Sequence, residues 1–220
     1  MSSTLGPIHY MMYEKIKFQD IITDYLMDHD TREIDKIQKP VSTDDLSSLI
    51  DQENIHGWLS SRIDMVEKRL ALAFKLSKNP KQKMYELGRK KGENKDFSSL
   101  SIIFKTLNYY LLDGMPCDNG MMPQVDDENS LYLITNNNLH TQYYENDDIN
   151  PNDSLDDTCA GGHSHDHHEN FELHHGQINL DDNETDLYHQ MRYEFLKGYF
   201  ENSPYKVEIV NGISYKISDK

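Results

Sequence analysis

The chain has 220 residues, 36% of them hydrophobic, and a formal charge of −16 from 22 basic against 38 acidic residues. That length suits a single domain spanning 1–220, and the acid excess disfavours nucleic acid and anionic membranes, whose phosphates need clustered Lys and Arg. No run approaches the roughly 18 apolar residues of a membrane span and no basic segment leads into an apolar one, so the cytoplasm is the expected location.

In chain order, Pro7 stands well placed at a first turn, and Ile8, Met11, Met12, Ile16, Phe18, Ile22 and Leu26 follow at helical spacing, which predicts a helix from Ile8 to about Met27. The span from Asp30 to Thr43 is polar and breaks at Pro40. Ser42 to Asp45 then offers N-cap chemistry for a short helix through Leu46, Leu49 and Ile50. Ile55, Leu59, Ile63, Val66, Leu70 and Phe74 recur at three and four, a longer helix bounded by Pro80. Two more helices are expected, from Lys83 towards Gly92 and from Leu100 to Leu111, the latter stopped by Asp113-Gly114 and Pro116. Residues 1–112 are thus mainly helical.

Residues 122–135 read as a strand region, a single strand or a hairpin, with Ser130–Thr135 rich in strand formers. Thr185 to Glu201 resumes helical spacing, and the last 16 residues read as a β-hairpin around Asn211-Gly212. A three-residue loop of Val210, Asn211 and Gly212 pairs Ile209 with Ile213, Val207 with Tyr215 and Tyr205 with Ile217, so all six large residues share one face. The fold class expected is α+β: N-terminal helices packed on a small antiparallel sheet closed by a C-terminal β-hairpin.

The charge is unevenly placed. Residues 106–191 hold no Lys or Arg and 18 acids, and so contribute −18, while the other 134 residues contribute +2. Within that tract, 145–184 reads as a flexible acidic insertion, since its Asn, Asp, Ser and Gly runs have too little apolar surface to offset their ordering entropy. The insertion carries Cys159, His163, His165, His167 and His168, then His174-His175. Imidazole and thiolate at this density suit Zn or Ni, and Asp166, Glu169 and Glu172 lower the cost of concentrating a cation. A fixed metal centre would draw on Cys117, His140, Cys159 and His163, of which only Cys159-x₃-His163 has a familiar short spacing. Cys117 lies between Asp113 and Asp118, negative surroundings that raise a thiol pKa and argue against an activated nucleophile. Asp113 and Asp118 are the candidate catalytic bases beside such a metal. Arg89 is a candidate for holding a ligand's carboxylate in a mostly apolar cavity. The two cysteines, Cys117 and Cys159, do not make a disulfide framework.

The order Leu87-Gly88-Arg89-x-x-Gly92, Leu131-Tyr132-Leu133-Ile134-Thr135 and Phe195-Leu196-Lys197-Gly198-Tyr199-Phe200-Glu201 before the closing hairpin resembles the 4-vinyl-reductase-type small-molecule-binding domain and the related aminothiazoline-carboxylate hydrolase-like proteins. The resemblance spans roughly 83–218 without the insertion. It implies helices packed on a small antiparallel sheet around a ligand pocket. Many members place Cys near the final hairpin, in some of them as a metal or haem ligand, and this hairpin has none. The phrases Gly6-Pro7-Ile8-His9, Ile55-His56-Gly57-Trp58-Leu59 and Leu112 to Asp118 also resemble an uncharacterised family of anaerobic bacteria and archaea.

Three functions follow as expectations. The first is a sensor or accessory protein that binds a small apolar or carboxylate-bearing ligand and carries a metal-capable loop. The second is a metal-dependent hydrolase using Cys117, His140, Cys159 or His163 with Asp113 or Asp118 as base. The third is a nickel or zinc storage or delivery protein.

Overall fold

Gly6 in extended conformation and Pro7 at the first helical position start α1 (Pro7–Leu26), and the Gly6 amide donates to His9 Nδ1 at 2.9 Å. The structure, a computed structural model, describes residues 5–115, 118, 120–144, 173–176, 178 and 180–220. After α1 come α2 (Arg32–Ile37), α3 (Leu46–Leu49), α4 (Ile55–Leu76), α5 (Pro80–Gly92) and α6 (Leu100–Asn108). Then follow β1 (Met121–Val125), β2 (Leu131–Thr135), α7 (Thr141–Tyr144), β3 (His174–His175), α8 (Leu187–Tyr199), β4 (Tyr205–Val210) and β5 (Ser214–Asp219). The α+β expectation holds.

Side-chain caps mark the helix starts that the sequence signals. Asp45, Asn54, Ser99 and Asp186 each accept a backbone N–H from the first turn of α3, α4, α6 and α8. Helices α1 and α4 lie side by side and run in the same direction: the rings of His9 and His56 meet at 5.9 Å, and Ser77 Oγ donates to the Leu26 carbonyl at 2.7 Å. Helices α5 and α8 approach backbone to backbone. A Cβ at Gly88 would stand 1.9 Å from the Phe195 carbonyl oxygen, and one at Gly198 would stand 2.0 Å from that of Tyr85.

The sheet has the order β3-β1-β2-β5-β4. It is antiparallel except at β3, whose two residues pair parallel with Gln124 and Val125 of β1. Its Val125, Leu131, Leu133, Val207, Tyr215 and Ile217 pack with Leu70, Phe74, Leu87, Phe104, Phe195 and Tyr199 of the helices in one core. A second core joins the first half of α1 to α3, α4 and the Leu112–Met115 turn, around Met12, Ile16, Leu46, Leu59 and Val66.

Three details differ from the sequence expectation. The hairpin pairs Val207 with Ile217 and Ile209 with Tyr215, two residues away from the expected register. The slip is even, so the shared face survives. Its cause is a loop of Asn211, Gly212 and Ile213 with Asn211 and Gly212 both at positive φ, closed by Ser214 N donating to Asn211 Oδ1 at 3.0 Å. Strand β2 fixes the loop, because Thr135 Oγ1 donates to the Ile213 carbonyl at 2.8 Å and the Thr135 amide donates to Ser214 Oγ at 3.0 Å.

The polar span after Asp30 contains α2, held by the fully buried Ile34. The strand region agrees with the hairpin alternative: two antiparallel strands joined by a turn in which Asp126 Oδ1 accepts the amides of Glu128 and Ser130 at 3.0 and 2.8 Å. The end of the 145–184 stretch belongs to the fold. His174 and His175 form β3, and the Asn183 amide donates to the Asn211 carbonyl at 2.9 Å. Among the described residues no helix is long and apolar enough to cross a membrane.

Candidate functional site

Helix α1 has more apolar residues than one buried stripe can absorb. Phe18 and Ile22 face the core, whereas Ile21 remains 47% exposed. Beside it opens a groove of about 880 Å³, lined along α1 by Glu14, Lys17, Phe18, Ile21 and Asp24. Its other walls are Thr31 with Pro40, Val41 and Thr43 on one side, and Lys91 with Tyr109 and Tyr110 on the other. The volume falls within the usual range of small-molecule sites.

The walls are fixed by buried polar contacts. Arg69, 2% exposed, donates from Nε to Asp20 Oδ1 at 2.5 Å and from Nη1 to Asp35 Oδ1 at 2.7 Å and to the Gln38 carbonyl at 2.5 Å. Asp20 accepts the Val41 amide with its other oxygen at 2.7 Å. One guanidinium therefore ties α4 to α1, α2 and the 38–41 loop. Burial raises the Asp20 carboxyl pKa in spite of Arg69 and the Val41 amide. Burial also works against the Asp35 charge, but the bonds from Arg69 and Thr31 outweigh it and lower that carboxyl. On the opposite wall Tyr110 stacks near Phe18, Phe195 and Tyr199 at 4.8, 6.0 and 5.9 Å, which leaves Tyr109 at the rim, 46% exposed.

A second constellation lies inside the molecule. His140 precedes α7 and is 3% exposed, with Nδ1 3.2 Å from Glu67 Oε2 and Nε2 3.6 Å from Asp113 Oδ1. Arg192 donates to Asp113 at 2.6 Å and to the Leu112 carbonyl at 3.0 Å, and also bonds the Tyr188 hydroxyl. The Tyr188 ring lies flat on His140, 3.5 Å between centroids, and Tyr144 donates to Glu67 at 3.1 Å. Burial disfavours charge on Asp113, yet Arg192 and His140 prevail and hold its carboxyl well below the usual range. Burial likewise disfavours protonated His140, but the Glu67 charge, the nearby Asp113 carboxylate and the bond with Glu67 raise its pKa above the ordinary value. Lys15, buried and bonded to Asn108 Oδ1 at 2.7 Å, is pushed down to about 8, mainly by burial.

These contacts place the candidates read from sequence. Asp113 and His140 come together, although the sequence assigned them to different roles. Glu67, Arg192 and Lys15 were missed. Each is a charged residue on an otherwise apolar helix face, and that was the available signal. Asp118 accepts the Met115 amide at 2.7 Å and caps the turn after Asp113. Arg89 is 46% exposed and 3.7 Å from Glu201. Cys117, Cys159, His163, His165, His167 and His168 lie outside the described residues. Glu67 and Asp113 stand on opposite sides of the His140 ring, so they do not converge with it on one ion. Among the described residues no three His, Cys, Asp or Glu side chains could hold a metal ion.

The two constellations differ in access. The void that reaches Tyr188 and Arg192 measures about 20 Å³, room for one water and no substrate. The groove is open and forty times larger, to order of magnitude. Compared with known proteins, the chain matches no family model, no curated protein and no solved structure.

Proposed function

We propose that this chain is a small-molecule-binding protein whose ligand lies in the groove along α1. The observation that carries the reading is the 880 Å³ space with Phe18, Ile21, Val41, Tyr109 and Tyr110 around it. Six charged side chains, Glu14, Lys17, Asp20, Asp24, Arg69 and Lys91, share the lining with these, and an apolar wall with placed polar groups is the usual make-up of such sites. The buried Asp113–His140 constellation supports a structural role better than a hydrolytic one, because a carboxylate held ionised by Arg192 in a dry site neither meets substrate nor takes up a proton. The test is titration with the uncharged fluorophore N-phenyl-1-naphthylamine. Saturable binding is expected, together with its loss in Ile21→Glu, which puts a charge into the groove at an already exposed position. Unchanged binding in that variant overturns the reading.

The donor run from Cys159 to Glu169 supports a second, separable capacity: uptake of Zn or Ni by the acidic segment, in storage or delivery. Isothermal titration of the full chain with nickel, before and after removal of 145–172, tests it. More than one ion should bind per chain before removal and none after.

A further inference from the structure

The groove carries more than an apolar lining. Three carboxylates stand on it, and each is engaged by a neighbour. Glu14 lies 2.5 Å from Lys17 Nζ, Asp20 accepts from Arg69, and Asp24 Oδ2 is 2.5 Å from His29 Nδ1. Two of its three cations, Lys17 and Arg69, are thereby neutralised. Lys91 is different. Its ammonium stands over the Phe18 ring, 5.5 Å from the centroid, and no carboxylate lies in salt-bridge range of it among the described residues. Lys95 adds a second positive charge on the same side, 5.5 Å from the Tyr110 ring.

From this we infer that the groove takes an amphipathic monoanion: a flat aromatic or short aliphatic body against Phe18, Ile21 and Val41, with a carboxylate or similar head at Lys91. The inference rests on the proposed groove and adds the ligand's charge. Three arguments support the sign. A cationic ligand would find Glu14 and Asp20 already paired with Lys17 and Arg69 and would stand against Lys91. A neutral ligand would leave Lys91 without a counter-charge at the edge of a partly desolvated space, where one is worth most. An anion gains Lys91 beside the apolar face of Phe18. The edge of α1 from Glu14 to Asp24 is about 15 Å long, enough for two or three fused or linked rings or a medium-length chain.

A matched pair of probes tests the inference. 1-Anilinonaphthalene-8-sulfonate and N-phenyl-1-naphthylamine share one ring system and differ by the sulfonate. Wild-type protein should bind the sulfonate roughly fivefold more tightly than the neutral probe at low salt, the scale of one partly exposed ion pair. Lys91→Gln should remove that preference and leave the neutral probe's affinity unchanged. Lys91→Arg should keep the preference, and Lys78→Gln, outside the groove, should alter neither affinity. Equal affinities in the wild type, or a preference that survives Lys91→Gln, overturn the anion inference and leave the groove standing. Failure of both probes to bind, or binding of both to Ile21→Glu, overturns the groove reading itself. Lys91 sits on a helix surface, so its variants should match the wild-type melting curve, and Lys91→Arg provides the check if Lys91→Gln does not.

Discussion

His140 makes stability depend on pH in a direction that can be worked out. Its folded-state pKa is raised, so the folded protein holds the proton more tightly than the unfolded chain. The stabilisation is complete below about pH 6.5 and is lost as pH rises through the raised value. His189 acts oppositely. Burial outweighs its bond to Asp186 and lowers its pKa, so stability climbs as pH approaches 6.5 from below. Lys15 enters later, because a folded pKa of about 8 against 10.5 makes stability rise again above pH 8, a shift corresponding to roughly 3 kcal/mol. Urea midpoints measured from pH 5 to 9 should therefore pass through a local maximum near pH 6.5, fall above it and recover beyond 8, before buried tyrosines such as Tyr188 and Tyr215, whose pKa burial raises, begin to cost stability as the unfolded chain ionises near 10. His140→Gln should abolish the fall between 6.5 and 8, and Lys15→Met should abolish the recovery beyond 8. A His140→Gln profile parallel to the wild type over 6–8 would remove the assignment. The sequence made this network only half legible. Asp113 and His140 stood out as chemical residues, but Arg192 is 79 residues from Asp113 and Glu67 is 73 from His140. No local spacing connects residues so far apart. What could be read locally was Arg192 four places after Tyr188 on an apolar stripe, a charge that must find a partner if the face is buried.

At the scale of elements, the glycines of α5 and α8 set how closely these helices pack. Gly88, Gly92 and Gly198 each put a backbone hydrogen where a methyl would meet a carbonyl oxygen of the other helix at 1.9–2.1 Å. Alanine normally favours a helix over glycine by about 1 kcal/mol. Here the sign should reverse, since backbone carbonyls cannot rotate aside as a side chain can. Gly88→Ala and Gly198→Ala are each expected to cost about 1–3 kcal/mol net of propensity and to lower the melting temperature by several degrees. A rise in melting temperature for either would show that the two helices separate freely. By contrast, Asp186→Ala removes the α8 cap and the bond from Asn138, with an expected loss of about 1 kcal/mol in the same melts. Elements of this kind are where the sequence was most informative. The long amphipathic helices announce themselves by period and caps, whereas α2 and α7 have six and four residues and cannot show a period. The hairpin register depended on whether one or two left-handed residues form the turn and on what Thr135 of another strand bonds, and the hairpin's own sequence contains neither fact.

For the molecule as a whole, the charge of −16 divides into a nearly neutral body and an acidic tract, and the fold narrows where the tract can be cut. Residues 173–184 are not expendable. His174 and His175 extend the sheet beside β1, and Asn183 and Asp181 bond the Asn211 end of the closing hairpin at 2.9 and 3.0 Å. Gly212, at φ 85, turns directly against the Asn183 carbonyl, with 2.0 Å between that oxygen and the position a Cβ would take. Upstream, Tyr143 and Tyr144 of α7 are buried against α4 through Asp64 and Glu67. Tyr144 and Leu173 thus both belong to the core. Replacing 145–172 with a flexible Gly/Ser linker should leave the melting temperature within a few degrees of the wild type and the groove's affinity for N-phenyl-1-naphthylamine unchanged. Extending the cut to 183 should lower the melting temperature clearly, by loss of β3 and of the support under the hairpin turn. The comparison separates two origins for the acidic tract. If both cuts destabilise equally, the whole tract is part of the fold and its charge is a structural property. If only the longer one does, the 28 residues from Glu145 to Glu172 are a module whose histidines and carboxylates serve a purpose independent of the body's stability, and nickel titration of the shorter deletion reads that purpose directly.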